Sequence, residues 1–219
     1  KIVTSWNGLM LAAFAEAARV LGRDDYQEVA VRNADFLMRR LRGADGRLHH
    51  IWKAGEASVP GFLEDYTHLI EGLIELYQTT FDTRWIGAAL ELAAFLPAHF
   101  AVGESGVGFY DTADDAEALV VRPRELQDNA VPSGNAMATT VLQKLARLGA
   151  DSAYEALAQR SLAAMQPLMG RHPLGFAQWL VALDRAVAVP VEVAVIGDPA
   201  AEDARALIDI AQGDYAPHR

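Results

Sequence analysis

The sequence predicts an all-α fold: an α/α toroid of helical hairpins, about three and a half of them, followed by the start of a small α/β unit. Three observations lead there. Apolar residues recur at helical spacing through most of the chain. Three junctions superpose: Leu21-Gly22-Arg23-Asp24-Asp25-Tyr26, Thr80-Phe81-Asp82-Thr83-Arg84-Trp85 and Leu148-Gly149-Ala150-Asp151-Ser152-Ala153-Tyr154. Each is a tight acidic turn with an aromatic in the first turn of the next helix. The most apolar helices, the first, fifth and seventh, are the odd members of each pair, with the third less clean because it carries Glu64, Asp65, Glu71 and Glu75. An inner ring inside an outer amphipathic one fits this, because a lone hairpin cannot bury its apolar face.

The elements follow in order. Residues 5–21 form a helix with only Glu16 and Arg19 charged, too apolar to be covered by one neighbour. The arc is therefore expected to be open, with the face near Trp6 exposed. Residues 24–42 are amphipathic, and 47–58 read as two short strands around Ala54-Gly55. Helices over 62–81 and 83–102 lead to a short aromatic strand at 106–110. Helices over 132–148, 152–169 and 174–187 complete the pattern. The period then changes: Val191, Val193 and Val195 alternate as in a strand, and Gly197-Asp198-Pro199 opens a helix to about Ala211. Residues 1–188 are thus read as the later part of the toroid and 189–219 as the beginning of an appended unit. Both chain ends read as cut from a longer protein.

Composition excludes several classes. The chain has 19 Lys and Arg against 29 Asp and Glu, a net charge of −10, which argues against tracking nucleic-acid phosphates. Charged residues interrupt every apolar run before the ~20 residues of a membrane span. Cysteine is absent, which removes disulfides and thiolate chemistry. His49, His50, His68, His99, His172 and His218 show no pair at i, i+4 beside a Glu, so no metal or other cofactor is expected. With no signal peptide in view, a cytoplasmic location is the expectation.

Parallel inner helices bring their N-terminal ends to one mouth, and polar residues gather there. Asp65 shares its helical face with Leu69, Gly72 and Leu76, so its carboxyl points to the interior or a cavity. Glu64 heads a stripe through His68, Glu71 and Glu75 that looks solvated. Asp128 lies just before Ser133, a natural helix N-cap. The expected catalytic carboxyls are Asp65 and Asp128 facing one cavity, with Glu64 as substitute, since paired carboxyls held at different pKa values suit sugar chemistry. Trp6, Asn7, Tyr66, Asn129, Ser133, Asn135 and His172 are the expected substrate-binding residues, Trp6 as a stacking platform. Capping of helix starts is the competing explanation for these acids.

Several stretches carry a family resemblance: Ser5-Trp6-Asn7-Gly8-Leu9, Val59-Pro60-Gly61-Phe62-Leu63-Glu64-Asp65-Tyr66, the run from Val121-Arg122-Pro123-Arg124-Glu125 through Gln127-Asp128-Asn129-Ala130-Val131-Pro132-Ser133-Gly134-Asn135, and Val195-Ile196-Gly197-Asp198-Pro199. In this order they resemble the YyaL-like proteins, also described as spermatogenesis-associated protein 20-like. The resemblance implies an (α/α)6 barrel of the six-hairpin type, similar to N-acylglucosamine 2-epimerases and several glycosidases, behind an N-terminal thioredoxin-like domain that this chain does not contain. It assigns no catalytic residues. It implies a carbohydrate-active domain, hydrolase-like or epimerase-like, with a small-molecule sugar ligand and the missing N-terminal part as partners. The alternative is a non-catalytic toroidal scaffold or binding module attached to a redox domain. Two carboxyls across an open cleft favour the enzyme; acids capped onto backbone N–H groups favour the scaffold.

Overall fold

The computed structural model describes residues 1–103, 106–198 and 201–216. The chain is mostly helical, and the all-α expectation holds. The helices are α1 (Thr4–Leu21), α2 (Asp24–Arg40), α3 (Leu63–Thr80), α4 (Thr83–Ala93), α5 (Gly134–Arg147), α6 (Ser152–Arg171), α7 (Ala177–Val187) and α8 (Glu202–Gln212). The strands are β1 (Ile2–Val3), β2 (His49–Lys53) and β3 (Glu56–Pro60).

Local chemistry accounts for the junctions. Gly22 ends α1 at φ +60°, a left-handed cap that glycine adopts without strain. Asp82 and Asp151 cap α4 and α6 by accepting the N–H of Arg84 and Ala153. The first of the three superposed turns has no such side-chain cap. Ala54 and Gly55 both have positive φ, the two-residue turn that matches strand twist and joins β2 to β3. β1, too short to read from sequence, pairs Ile2 with Trp52 and Val3 with Ile51.

Odd-numbered helices pack in series, α1 on α3, α3 on α5 and α5 on α7, while α2, α4 and α6 lie against α1, α3 and α5 respectively. The closest approach is between α1 and α3. A Cβ on Gly8 would stand 2.5 Å from the backbone carbon of His68, and one on Gly72 2.8 Å from the Gly8 carbonyl. One side of α1 stays open as expected, with Trp6 61% and Met10 53% exposed.

Three expectations are corrected. The stripe Glu64, His68, Glu71, Glu75 is not solvated, because α1 and α5 flank it. His68 is fully buried, Lys144 of α5 reaches Glu71 and Glu75, and Arg19 of α1 pairs with Glu75. Burial alone would raise the Glu75 pKa, but Lys144 and Arg19 outweigh it and hold it down to about 2. Burial would likewise lower Lys144, yet Glu71 and Glu75 raise it. Second, residues 191–196 form no strand among the described residues. Among the described residues no strand pairs with them, and an unpaired strand has no ladder to hold it. Third, 106–110 contributes only one bridge, Phe109 to Ala101, and the fourth helix ends at Ala93 before a π-helical turn at Leu96–Phe100. Pro199 and His218 lie outside the described residues.

Candidate functional site

The N-terminal ends of α3 and α5 open onto a cleft of about 300 Å³. The β2–β3 hairpin sets His50 beside the first turn of α3, and the long connection before α5 supplies the opposite wall. That connection is clamped from below by Asn135, which is fully buried. Its Oδ1 accepts the N–H of Phe109 at 2.8 Å, and its Nδ2 donates to the carbonyls of Phe109 and Glu125 at 3.0 Å. Asp111 is pinned by its backbone to Pro123 and Leu63, and its Oδ2 accepts the N–H of Glu125 at 2.8 Å.

Phe62, Glu64, Asp111, Glu125, Asn129 and Ser133 line the cleft. Burial, then the charges of Asp65 and Asp111, raise the Glu64 pKa; the Ser5 hydroxyl at 3.2 Å and His50 act the other way. Burial also raises Asp111, against the N–H of Glu125. Two half-buried carboxyls with raised pKa values, burial being the largest cause in each, thus line one cleft.

The expected residues divide. Glu64, Asn129 and Ser133 are at the cleft, and Ser133 also caps α5 by accepting the N–H of Ala136. Asp65 and Asp128 do not line it, and they share no partner. Asp65 is fully buried, and its Oδ1 accepts the N–H of Ser5 while Oδ2 accepts that of Phe62. Asp128 accepts the N–H of Ser133 through Oδ1 and that of Gln178 through Oδ2. Both carboxylates satisfy backbone donors at helix starts, which is where first-turn donors lack partners.

Tyr66 is 2% exposed and its hydroxyl accepts the N–H of Leu48, so it belongs to the core. Asn7 donates to the Val3 carbonyl and accepts from Asn33. Asn135 is the clamp described above. His172 caps the end of α6, exposed and away from the cleft lining. Trp6 is exposed on α1, next to the Ser5 that holds Glu64.

Sequence reading missed Asp111, Glu125 and His50. Glu125 stands inside the stretch that carries the family resemblance, but Asp111 and His50 gain their meaning only from chain reversals that bring them to α3. His50 Nδ1 lies 2.9 Å from Asp65 Oδ2, and that hydrogen bond raises the imidazole pKa above its ordinary value. Two groups could offer ligands to a cation: His50, Glu64 and Asp65, and separately His99, Asp114 and Asp115, with ligand atoms within 4.8 Å in each. A second cavity, about 470 Å³, lies at the other ends of α1 and α3 against α8, with Val20, Tyr77, Phe81 and Ile208 in its walls. It holds none of these acids. Among the described residues no helix is long and apolar enough to cross a membrane.

Spermatogenesis-associated protein 20 of Rattus norvegicus is 31% identical over 228 aligned residues, covering 100% of this chain and 29% of that protein. The Homo sapiens protein of the same name is 29% identical with the same coverage. Homology to these proteins is shown along the whole chain. An uncharacterized protein of Caenorhabditis elegans is 25% identical over 213 residues, covering 92% of this chain. The chain spans about 29% of the length of the mammalian relatives. No family model matches it.

Proposed function

We propose that the chain belongs to the spermatogenesis-associated protein 20-like family and is part of an (α/α)6 barrel that processes a small carbohydrate at the mouth formed by α3 and α5. The full protein would be cytoplasmic and carry a thioredoxin-like domain ahead of this part. Residues 189–219 would begin a separate unit. The observation that supports the reading is the cleft itself, where Glu64 and Asp111, both raised by burial, share one wall system with Asn129 and Ser133. Sugar chemistry needs one carboxyl that donates a proton and another that acts ionised. Asp111 serves as the donor. Glu64, which accepts from the Ser5 hydroxyl, is its carboxylate partner. Asn129 and Ser133 offer hydrogen bonds to sugar hydroxyls, and Trp6 offers an exposed ring for stacking.

The scaffold reading rests on a different observation: Asp65 and Asp128 both spend their oxygens on backbone N–H groups. It applies to those two residues and leaves Glu64 and Asp111 open. Assaying the full-length protein against a panel of mono- and oligosaccharides separates the two. Turnover that disappears in Asp111→Asn supports the enzyme. Sugar binding without turnover, or neither, supports the scaffold.

A further inference from the structure

We propose that His50, Glu64 and Asp65 form a binding site for one divalent transition-metal ion of the Zn2+ or Mn2+ class. Three side chains from two elements offer a ligand atom each, all within 4.8 Å of one another. His50 Nδ1 stands 3.1 Å from Asp65 Oδ1 and 2.9 Å from Oδ2. Ligands at about 2.1 Å on neighbouring positions of one ion stand about 3 Å apart, so these side chains need little movement to exchange a shared proton for a metal.

The supporting shell is in place. A carboxylate has about four lone-pair sites. The N–H groups of Ser5 and Phe62 take one on each Asp65 oxygen, which leaves the side toward His50 available. Those bonds hold the ligand's orientation, as outer partners do in metal sites. The His50 ring is held edge-on to Phe62 at 5.0 Å, and the Ser5 hydroxyl steadies Glu64.

Charge gives an independent reason. Among the described residues neither Glu64 nor Asp65 forms an ion pair with a Lys or Arg; the basic group beside Asp65 is the His50 imidazole, which a metal would deprotonate and bind. The α3 N-terminus supplies roughly half a positive charge, which does not offset two carboxylates. The other cluster differs: Arg47 already pairs with Asp115 in the His99 group, at 2.8 Å to Oδ1. A permanently charged arginine is supplied there, whereas here the only basic partner among the described residues is His50, itself a metal ligand by type.

One imidazole with two carboxylates suits Zn2+ or Mn2+ better than Ca2+ or Mg2+, which prefer oxygen alone. Glu64 opens into the cleft, leaving coordination positions free for water or a substrate hydroxyl.

The inference does not rest on sugar turnover, and its test reads binding alone. Chelator-stripped full-length protein is titrated calorimetrically with ZnCl2 and, separately, MnCl2. One ion per chain should bind at least one of them with a Kd below about 10 μM. His50→Ala and Glu64→Gln should each weaken binding by about tenfold or more, with circular dichroism and melting temperature unchanged, and His99→Ala should leave it intact. If His50→Ala does not fold, Glu64→Gln decides. Absence of saturable binding by both metals up to about 1 mM, equal affinity in a folded His50→Ala or Glu64→Gln variant, or loss of binding in His99→Ala would overturn the proposal. A failed titration leaves the Asp111 chemistry standing, and an inactive Asp111→Asn leaves the metal site standing.

Discussion

Asp65 Oδ1 accepts the backbone N–H of Ser5 at 2.9 Å, so a carboxylate from the first turn of α3 closes the first turn of α1. The second oxygen does the same for Phe62. Replacing it with Asn turns one acceptor into an NH2 that faces an N–H donor. Asp65→Asn should therefore cost about 2 kcal/mol, seen as a lower urea midpoint with unchanged slope. An unshifted midpoint would show that the two backbone bonds carry no weight.

Lys144 sits between Glu71 and Glu75 with Arg19 on the far side of Glu75. Removing the ammonium leaves buried carboxylates without compensation, so Lys144→Met should destabilise by about 3–5 kcal/mol. Glu75 titrates lower in the folded chain than in the unfolded one. Its contribution is present above its ordinary value of 4.5 and is lost as pH falls toward about 2. Chemical denaturation of wild type and Glu75→Gln across that window checks the sign: the difference between them should shrink on acidification.

His68 moves stability at higher pH. Burial, largest, lowers its pKa from 6.5 to about 4, so between those values the unfolded chain takes up a proton that the folded chain refuses. Stability should fall on acidification through this window by about 3 kcal/mol and level off below it. Comparing urea melts of wild type and His68→Leu isolates the effect, since every other group is common to both. Parallel pH profiles would contradict an imidazole held neutral by burial.

Gly8 and Gly72 let α1 and α3 touch. Alanine at either position puts a methyl carbon within 3 Å of the opposing helix, 2.5 Å and 2.8 Å respectively. Each substitution should cost about 1–3 kcal/mol, readable as a drop in melting temperature, whereas Gly87→Ala, with open space around it, should be near neutral.

Much of the fold was legible because it depends on local periodicity. The alternation of apolar and amphipathic helices, the Asp82 and Asp151 caps and the Ala54-Gly55 turn all follow from nearest-neighbour chemistry. Val191 to Ile196 misled because alternation shows that a segment could pair, without supplying a strand to pair with. The Glu64–Glu75 stripe misled for the converse reason: charge was read as solvation, while the partners Arg19 and Lys144 come from other helices. The site was half legible. Glu64 in the first turn of α3 and Ser133 at the N-cap of α5 can be read from helix-start patterns, and Asn129 from its place in the loop just before α5. Asp111 and His50 reach α3 through loop and hairpin geometry that residue spacing does not encode, and Asp65 and Asp128 look alike in sequence whether they face a cleft or a backbone N–H.

The central claim is that Asp111, and not Asp128, is the acid that does chemistry. Measuring turnover and melting temperature together for Asp111→Asn and Asp128→Asn in the full-length protein tests it most directly. Asp111→Asn should lose about a hundredfold or more in turnover with its melting temperature held. Asp128→Asn, which loosens the starts of α5 and α7 by weakening bonds to Ser133 and Gln178, should lower the melting temperature and keep turnover in the fraction that stays folded. Full activity in Asp111→Asn, with turnover abolished in a normally stable Asp128→Asn, would contradict the account.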